Sequence, residues 1–238
     1  FFCLGFYTKN FNVIKQLKIK KIKIASSDVT DLELLKKISK INKNVFLSVG
    51  MSDFSEIKAA CKILNKKIIL LHCVSLYPCP IEKANLRKII TLRKKFKCEV
   101  GYSDHCKGIE ASVVAITMGA SVIEKHFTDD KSRKGADHIL SADFNDMSTI
   151  VNFSKNYSKL LGNGKIKPSN QEMHMRKIAR KSIYYKKNYN KNHKIKYEDL
   201  IIRRPLADIE PKQIYKLLNR KLRNDVKENE SVKFKHLI

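Results

Sequence analysis

The chain has 238 residues, 43% of them hydrophobic, and a formal net charge of +26. Such length and apolar content support one sizeable core plus a small second domain, not a disordered chain, and no apolar run is long enough to cross a bilayer. The lysines are scattered through every segment with no dense basic block flanked by aromatics, so we expect no nucleic-acid partner and read the charge as solvated faces that help attract anionic substrates.

Short apolar, β-branched runs alternate with helical stretches, the rhythm of parallel βα units. The runs are Lys21 to Ser26, Val45 to Val49, Lys67 to Cys73, Cys98 to Ser103 and Ser121 to His126. Their near-continuous apolar character predicts strands covered on both faces. Thr30-Asp31-Leu32-Glu33 and Asp53-Phe54-Ser55-Glu56 have the form of capping boxes opening helices. A helix from about Ile109 to Met118 is predicted to stop at Gly119, and a longer one from about Asp143 to Leu161 to stop at Gly162-Asn163-Gly164.

Polar residues collect at the C-terminal ends of the predicted strands: Ser26, Asp28, Ser48, Ser75 with Tyr77, Ser103 with His105, and His126. In a (β/α) barrel those ends form the face that carries chemistry. Five strands are read where eight close a barrel; the chain opens at Phe1 without a Met, so three strands, on the order of 100 residues, are expected upstream. Lys165 to Arg176 reads as a linker, which makes residues 1–164 a partial barrel domain and 177–238 a small β-rich domain. Within the latter, Asn188 to Leu200 aligns without gaps with Asp225 to Leu237. The shared Asn192 and Asn229 are expected at left-handed turn positions. The six cysteines, Cys3, Cys61, Cys73, Cys79, Cys98 and Cys106, form no CxxC pair, which favours free thiols and a cytoplasmic setting.

His105 and His126 end what read as successive strands. A lone histidine at a strand end is more often a packed or capping residue than a ligand, but here two stand at the same end. Adjacent strands lie about 4.8 Å apart, so the two imidazoles can converge on one ion, and with oxygen donors they suit a divalent first-row metal used as a Lewis acid. Glu124 shares the strand face of His126 and is a candidate ligand or base. Lys23 with Ser26, Ser48 and Ser103 would suit a phosphate and a carboxylate, or be a solvated lysine and helix-capping serines. Asp137 and Tyr77 are open between sugar binding and ordinary turn or packing roles.

Taken together, Lys23-Ile24-Ala25-Ser26, Leu47-Ser48-Val49-Gly50-Met51-Ser52, Leu71-His72-Cys73-Val74-Ser75-Leu76-Tyr77-Pro78, Gly101-Tyr102-Ser103-Asp104-His105, Gly119 to Thr128 and Ala136-Asp137-His138 resemble the sialic acid synthases in order and spacing. Ala179 to Ile183 and Ile202-Arg203-Arg204-Pro205 resemble their antifreeze-like (SAF, β-clip) domain. The resemblance spans essentially the whole chain. It implies a (β/α)8 TIM barrel, here with its C-terminal five βα units, followed by that domain. It also implies condensation of phosphoenolpyruvate with an N-acetylmannosamine-type sugar to give N-acetylneuraminate or a relative such as legionaminic or pseudaminic acid. It assigns His105 and His126 to a Mn2+ or Mg2+ ion, and Lys23, Ser26, Ser48, Ser75 and Ser103 to phosphoenolpyruvate. Tyr77 and Asp137 match sugar-binding positions, Glu124 and Asp28 active-site carboxylates, with Asp137 a further catalytic candidate. Arg204 would reach into a partner's barrel, in a domain-swapped homodimer, to hold the sugar's N-acyl group. The chain departs from the family at Ser27-Asp28, usually Gly-Glu, and at Leu206-Ala207-Asp208, usually Gly-x-Gly. With the expected upstream strands absent, an isolated 238-residue product would be an inactive relative.

Overall fold

A computed structural model of the chain describes residues 2–4, 21–41, 44–65 and 68–238. Cys3, as a side chain, and Lys67, read as a strand start, lie outside what is described. Two compact units divide the chain, Phe1–Gly162 and Asn163–Ile238.

The first unit is a curled parallel sheet with strands in sequential order: β1 (Phe2–Leu4), β2 (Lys21–Ile24), β3 (Asn44–Ser48), β4 (Ile68–Cys73), β5 (Glu99–Asp104) and β6 (Ile123–Lys125). This is one strand more than the sequence reading counted. At three residues, β1 is too short to stand out as an apolar run, and only its parallel pairing with Lys21 to Lys23 reveals it. Helices α1 (Leu32–Ser39), α2 (Phe54–Leu64), α3 (Arg87–Phe96), α4 (Glu110–Thr117) and α5 (Phe144–Leu161) follow the strands. The sequential βα order is that of a (β/α) barrel.

Strand alternation sorts the side chains into two layers. Ile22, Ile24, Val45, Leu47, Leu70, Val100 and Tyr102 pack in one core with Leu34, Leu35 and Ile38 of α1 and Ile57, Ala60 and Leu64 of α2. Lys23, Ser48 and Ser103, of the opposite parity, turn to the other face. The helix starts are locally encoded. Asp53 accepts a hydrogen bond from Glu56 N–H at 2.9 Å while Glu56 accepts one from Asp53 N–H at 2.8 Å, completing the expected capping box. At α1 the cap falls one residue later than Thr30: Asp31 accepts from Leu34 N–H at 2.9 Å, because a carboxylate competes well for the free N–H groups of a helix start. Gly119 and Gly162 follow α4 and α5 in positive-φ conformations, as expected of helix stops.

In the second unit, helix α6 (Asn170–Ala179) begins inside the stretch read as a linker. Its signal was present: Ser169 and Glu172 form a reciprocal capping box. Strands β7 (Ser182–Tyr185) and β8 (Leu200–Arg203) pair antiparallel over a core that includes Ile183, Tyr185, Ile195, Leu217, Leu222 and Val232. The internal repeat is visible in the backbone. Asn192 and Asn229 have φ of 68° and 65°, and each is followed by a 3-10 turn, Tyr197–Asp199 and Phe234–His236. No helix among the described residues is long and apolar enough to cross a membrane.

Candidate active site

Because the sheet is parallel, the C-terminal ends of all its strands lie along one rim, and a cavity of about 550 Å³ opens there. Lys23 enters it from β2, Ser48 from the end of β3, Ser103 from β5 and Glu124 from β6. Ser26, Ser75, Tyr77, His105 and His126 enter it from the residues that immediately follow the strands. The scattered sequence motifs thus converge on one volume.

One side of the cavity is built of hydroxyls and one ammonium. Ser26 Oγ accepts a hydrogen bond from Gly50 N–H at 2.9 Å. Ser48 is 2% exposed and its Oγ has no hydrogen-bond partner among the described residues, an uncompensated buried hydroxyl of a kind that costs stability unless a ligand satisfies it. Gly50 has no room for a side chain: a Cβ there would lie 2.5 Å from Ser75 Oγ and 3.0 Å from Ser26 Oγ. Lys23 Nζ lies 3.1 Å from Glu124 Oε2, an ion pair whose angles fall short of a hydrogen bond, so that Glu124 Oε2 keeps an unfilled acceptor.

The other side is aromatic. The rings of His105 and His126 are 5.6 Å apart at 62°, and Tyr77 stacks 4.0 Å from His105. His105 Nδ1 lies 2.9 Å from the Val74 carbonyl oxygen. A carbonyl can only accept, so Nδ1 carries the proton and Nε2 keeps the lone pair. Burial pushes the His105 pKa below the ordinary histidine range, against the opposing Val74 hydrogen bond, so the ring is held neutral, the form that binds metals. Burial also raises the Tyr77 phenol and the Cys73 thiol above their usual values. Asp137 Oδ2 is 3.7 Å from His126 Nδ1, close but too long for a direct hydrogen bond.

Asp28 does not line the cavity. It closes the 3-10 turn Ser26–Asp28, where Oδ1 accepts from Ser27 Oγ at 3.2 Å and Oδ2 is buried without a partner. Arg204 is exposed in the second unit. Sequence reasoning missed Cys73, which lines the cavity between the serines and His105. It also passed over Asp104 and Lys125, each beside a histidine. Both border the cavity, and their relationship shows only once β5 and β6 are paired. Among the described residues no group of three His, Cys, Asp or Glu side chains makes a complete metal site; His105 and His126 offer two nitrogens. Five cysteines, Cys61, Cys73, Cys79, Cys98 and Cys106, are free thiols.

Residues 1–166 match the NeuB family, and residues 180–238 the SAF domain. The chain belongs to the NeuB family. Among NeuB relatives, an uncharacterized protein of Methanocaldococcus jannaschii is 42% identical over 97% of this chain and 69% of its own length. The N,N'-diacetyllegionaminic acid synthase of Campylobacter jejuni is 35% identical over 98% of this chain and 72% of its own. The crystal structure of the N-acetylneuraminic acid synthetase of Leptospira borgpetersenii, in complex with citrate, superposes with a TM-score of 0.67 at 38% identity, covering 72% of this chain and 61% of that one. This NeuB chain thus spans less than two thirds of that solved chain.

Proposed function

We propose that the protein is a nonulosonic acid synthase, condensing phosphoenolpyruvate with an N-acetylmannosamine-type sugar to give N-acetylneuraminate, or a related sialic acid, and phosphate. The observation that carries this reading is the convergence of Lys23, Ser26, Ser48, Ser75 and Ser103 on one cavity that also holds His105 and His126. An ammonium and several hydroxyl donors match a phosphate and a carboxylate. The unpartnered Ser48 Oγ is a donor waiting for such an acceptor.

His105 and His126 would hold a divalent ion, Mn2+ or Mg2+, with water or substrate oxygens completing the shell. When bound, the ion polarises the sugar aldehyde as a Lewis acid. The free lone pair on His105 Nε2 and the 5.6 Å ring separation fit two-nitrogen ligation. In the reaction, C3 of phosphoenolpyruvate forms a bond to the aldehyde carbon, water adds at C2, and phosphate leaves with its C–O bond broken. Lys23 and the serines hold the departing phosphate and the carboxylate. Glu124, in the cavity and paired to Lys23, would move a proton near the reacting carbons. Tyr77, which lines the cavity, and Asp137, outside its lining but 3.7 Å from His126, would contact the sugar. Arg204 of a second subunit, in a domain-swapped homodimer, would contact the N-acyl group.

The nearest alternative keeps this chemistry and changes the sugar, to a legionaminic or pseudaminic acid precursor. The test is phosphate release by the full-length protein from phosphoenolpyruvate, with Mn2+ and each candidate N-acyl amino sugar in turn. Release with one sugar and metal supports the reading and names the product. No release with any of them favours an inactive relative and overturns it.

A further inference from the structure

The chain buries a complete ion pair directly behind its two histidines. Lys125 Nζ lies 3.0 Å from Asp104 Oδ2, and both side chains are fully excluded from solvent. Asp104 also accepts from Ser112 Oγ of α4 at 2.6 Å and from Cys106 N–H at 2.8 Å. Lys125 donates a second hydrogen bond to the Cys106 carbonyl at 2.7 Å. Both charges are therefore well coordinated, which a buried pair needs if its attraction is to offset desolvation.

The position of the pair in the sheet matters most. Asp104 and Lys125 are register partners in the parallel pairing of β5 with β6, one row beyond Ser103 and Glu124. His105 and His126 each follow this last row in the chain, and their rings lie 5.6 Å apart. Ser103, His105, Glu124 and His126 line the cavity; Asp104 and Lys125 border it too, but their side chains are buried, with the Asp104 carboxylate against Ser112 of α4. A one-residue slip of β6 would turn the Glu124 and His126 side chains away from the cavity and the Lys125 ammonium toward it. β6 has only three residues and three register pairs, so backbone pairing alone holds it weakly. The Cys106 contacts extend the clamp past the strand end, to the residue that follows His105.

We infer that Asp104 and Lys125 are positioning residues, whose buried pair locks the register of β5 against β6 and thereby sets the distance between His105 and His126. The function assigned to the two histidines as a metal pair rests on the reading above; the register lock itself does not. Supporting residues behind metal-ligating histidines typically change metal affinity about 10- to 100-fold when altered.

The test uses full-length protein carrying the double substitution Asp104→Asn and Lys125→Met, which removes both charges together and leaves no lone buried ion. Two quantities are measured: Mn2+ affinity by electron paramagnetic resonance, and the imidazole 1H–15N signals of His105 and His126 without metal. The expected result is a folded protein with Mn2+ affinity reduced at least about tenfold and shifted imidazole signals. A folded double variant with wild-type affinity and wild-type signals overturns the proposal. If the double variant does not fold, Ser112→Ala, which removes one hydrogen bond from Asp104, decides. Displaced imidazole signals in the folded S112A protein support the lock, and wild-type signals overturn it. Wild-type protein that binds no Mn2+ overturns the metal reading, while the imidazole signals still decide the lock.

Discussion

Lys23 and Glu124 face each other across the cavity with 3.1 Å between charged atoms, although they stand on β2 and β6, about a hundred residues apart in the chain. An anionic ligand must draw Lys23 toward itself, which leaves Glu124 free of its counter-charge. Lys23→Met is therefore expected to weaken phosphoenolpyruvate binding at least tenfold, about 1.4 kcal/mol. Isothermal titration of the full-length variant checks this; unchanged affinity would remove Lys23 from the anion site.

Ser48 offers a test with opposite signs in the free and bound protein. Its buried hydroxyl lacks a partner among the described residues, so Ser48→Ala should leave the thermal midpoint unchanged or raise it. The same substitution should weaken phosphoenolpyruvate binding about threefold to tenfold, the size of one hydrogen bond. A lower midpoint with unaltered affinity would make Ser48 a structural residue only.

Gly50 is required by what crowds it. A methyl group at this position would lie 2.5 Å from Ser75 Oγ and 3.0 Å from Ser26 Oγ, closer than contact distance, so the two hydroxyls must move. Gly50→Ala should raise the KM for phosphoenolpyruvate more than it lowers stability. Steady-state kinetics beside a melting curve would detect this; a normal KM would show that the serines yield without loss.

His105→Ala and His126→Ala should each abolish the dependence of phosphate release on added Mn2+, with activity falling by a hundredfold or more, as expected when Lewis-acid polarisation is lost. Activity titrations against Mn2+ concentration are the measurement. Wild-type metal dependence in either variant would refute the ligand assignment.

Acid stability has a named contributor outside the cavity. His72 is 1% exposed, and its Nε2 lies 2.8 Å from the Ala84 carbonyl oxygen. Burial lowers its pKa, with the Ala84 hydrogen bond opposing and Lys88 assisting. The unfolded chain therefore binds this proton more readily than the folded one. The contribution of His72 is fully present above the unfolded value of about 6.5 and is lost as pH falls through the depressed folded value. Chemical denaturation at pH 7 and pH 5 should show the wild type losing stability, and His72→Gln losing less. Equal losses would exclude His72; His105, depressed in the same direction, remains common to both proteins.

Much of the architecture was legible because it is written in short-range chemistry. The Asp53–Glu56 box, the stops at Gly119 and Gly162 and the left-handed Asn192 and Asn229 each depend on residues within a few positions of one another. Two elements were misjudged for different reasons. Phe2–Leu4 is a strand only through its neighbour, and the Ser169 cap of α6 was hidden in a stretch whose Pro and Lys content resembled a linker.

The sequence by itself determined which residues stand at or just past the strand ends, since apolar runs and helix-start chemistry need no tertiary information. That was enough to nominate Lys23, Ser48, Ser103, Glu124, His105 and His126. Only the tertiary structure decided which of them meet. Lys23 with Glu124, and Asp104 with Lys125, are joined by the curl of the sheet and by the register of strands far apart or merely adjacent in sequence. Register is a cooperative property of two strands and the helix packed behind them, so no single stretch of the chain encodes it. For this protein, that property sets His105 beside His126.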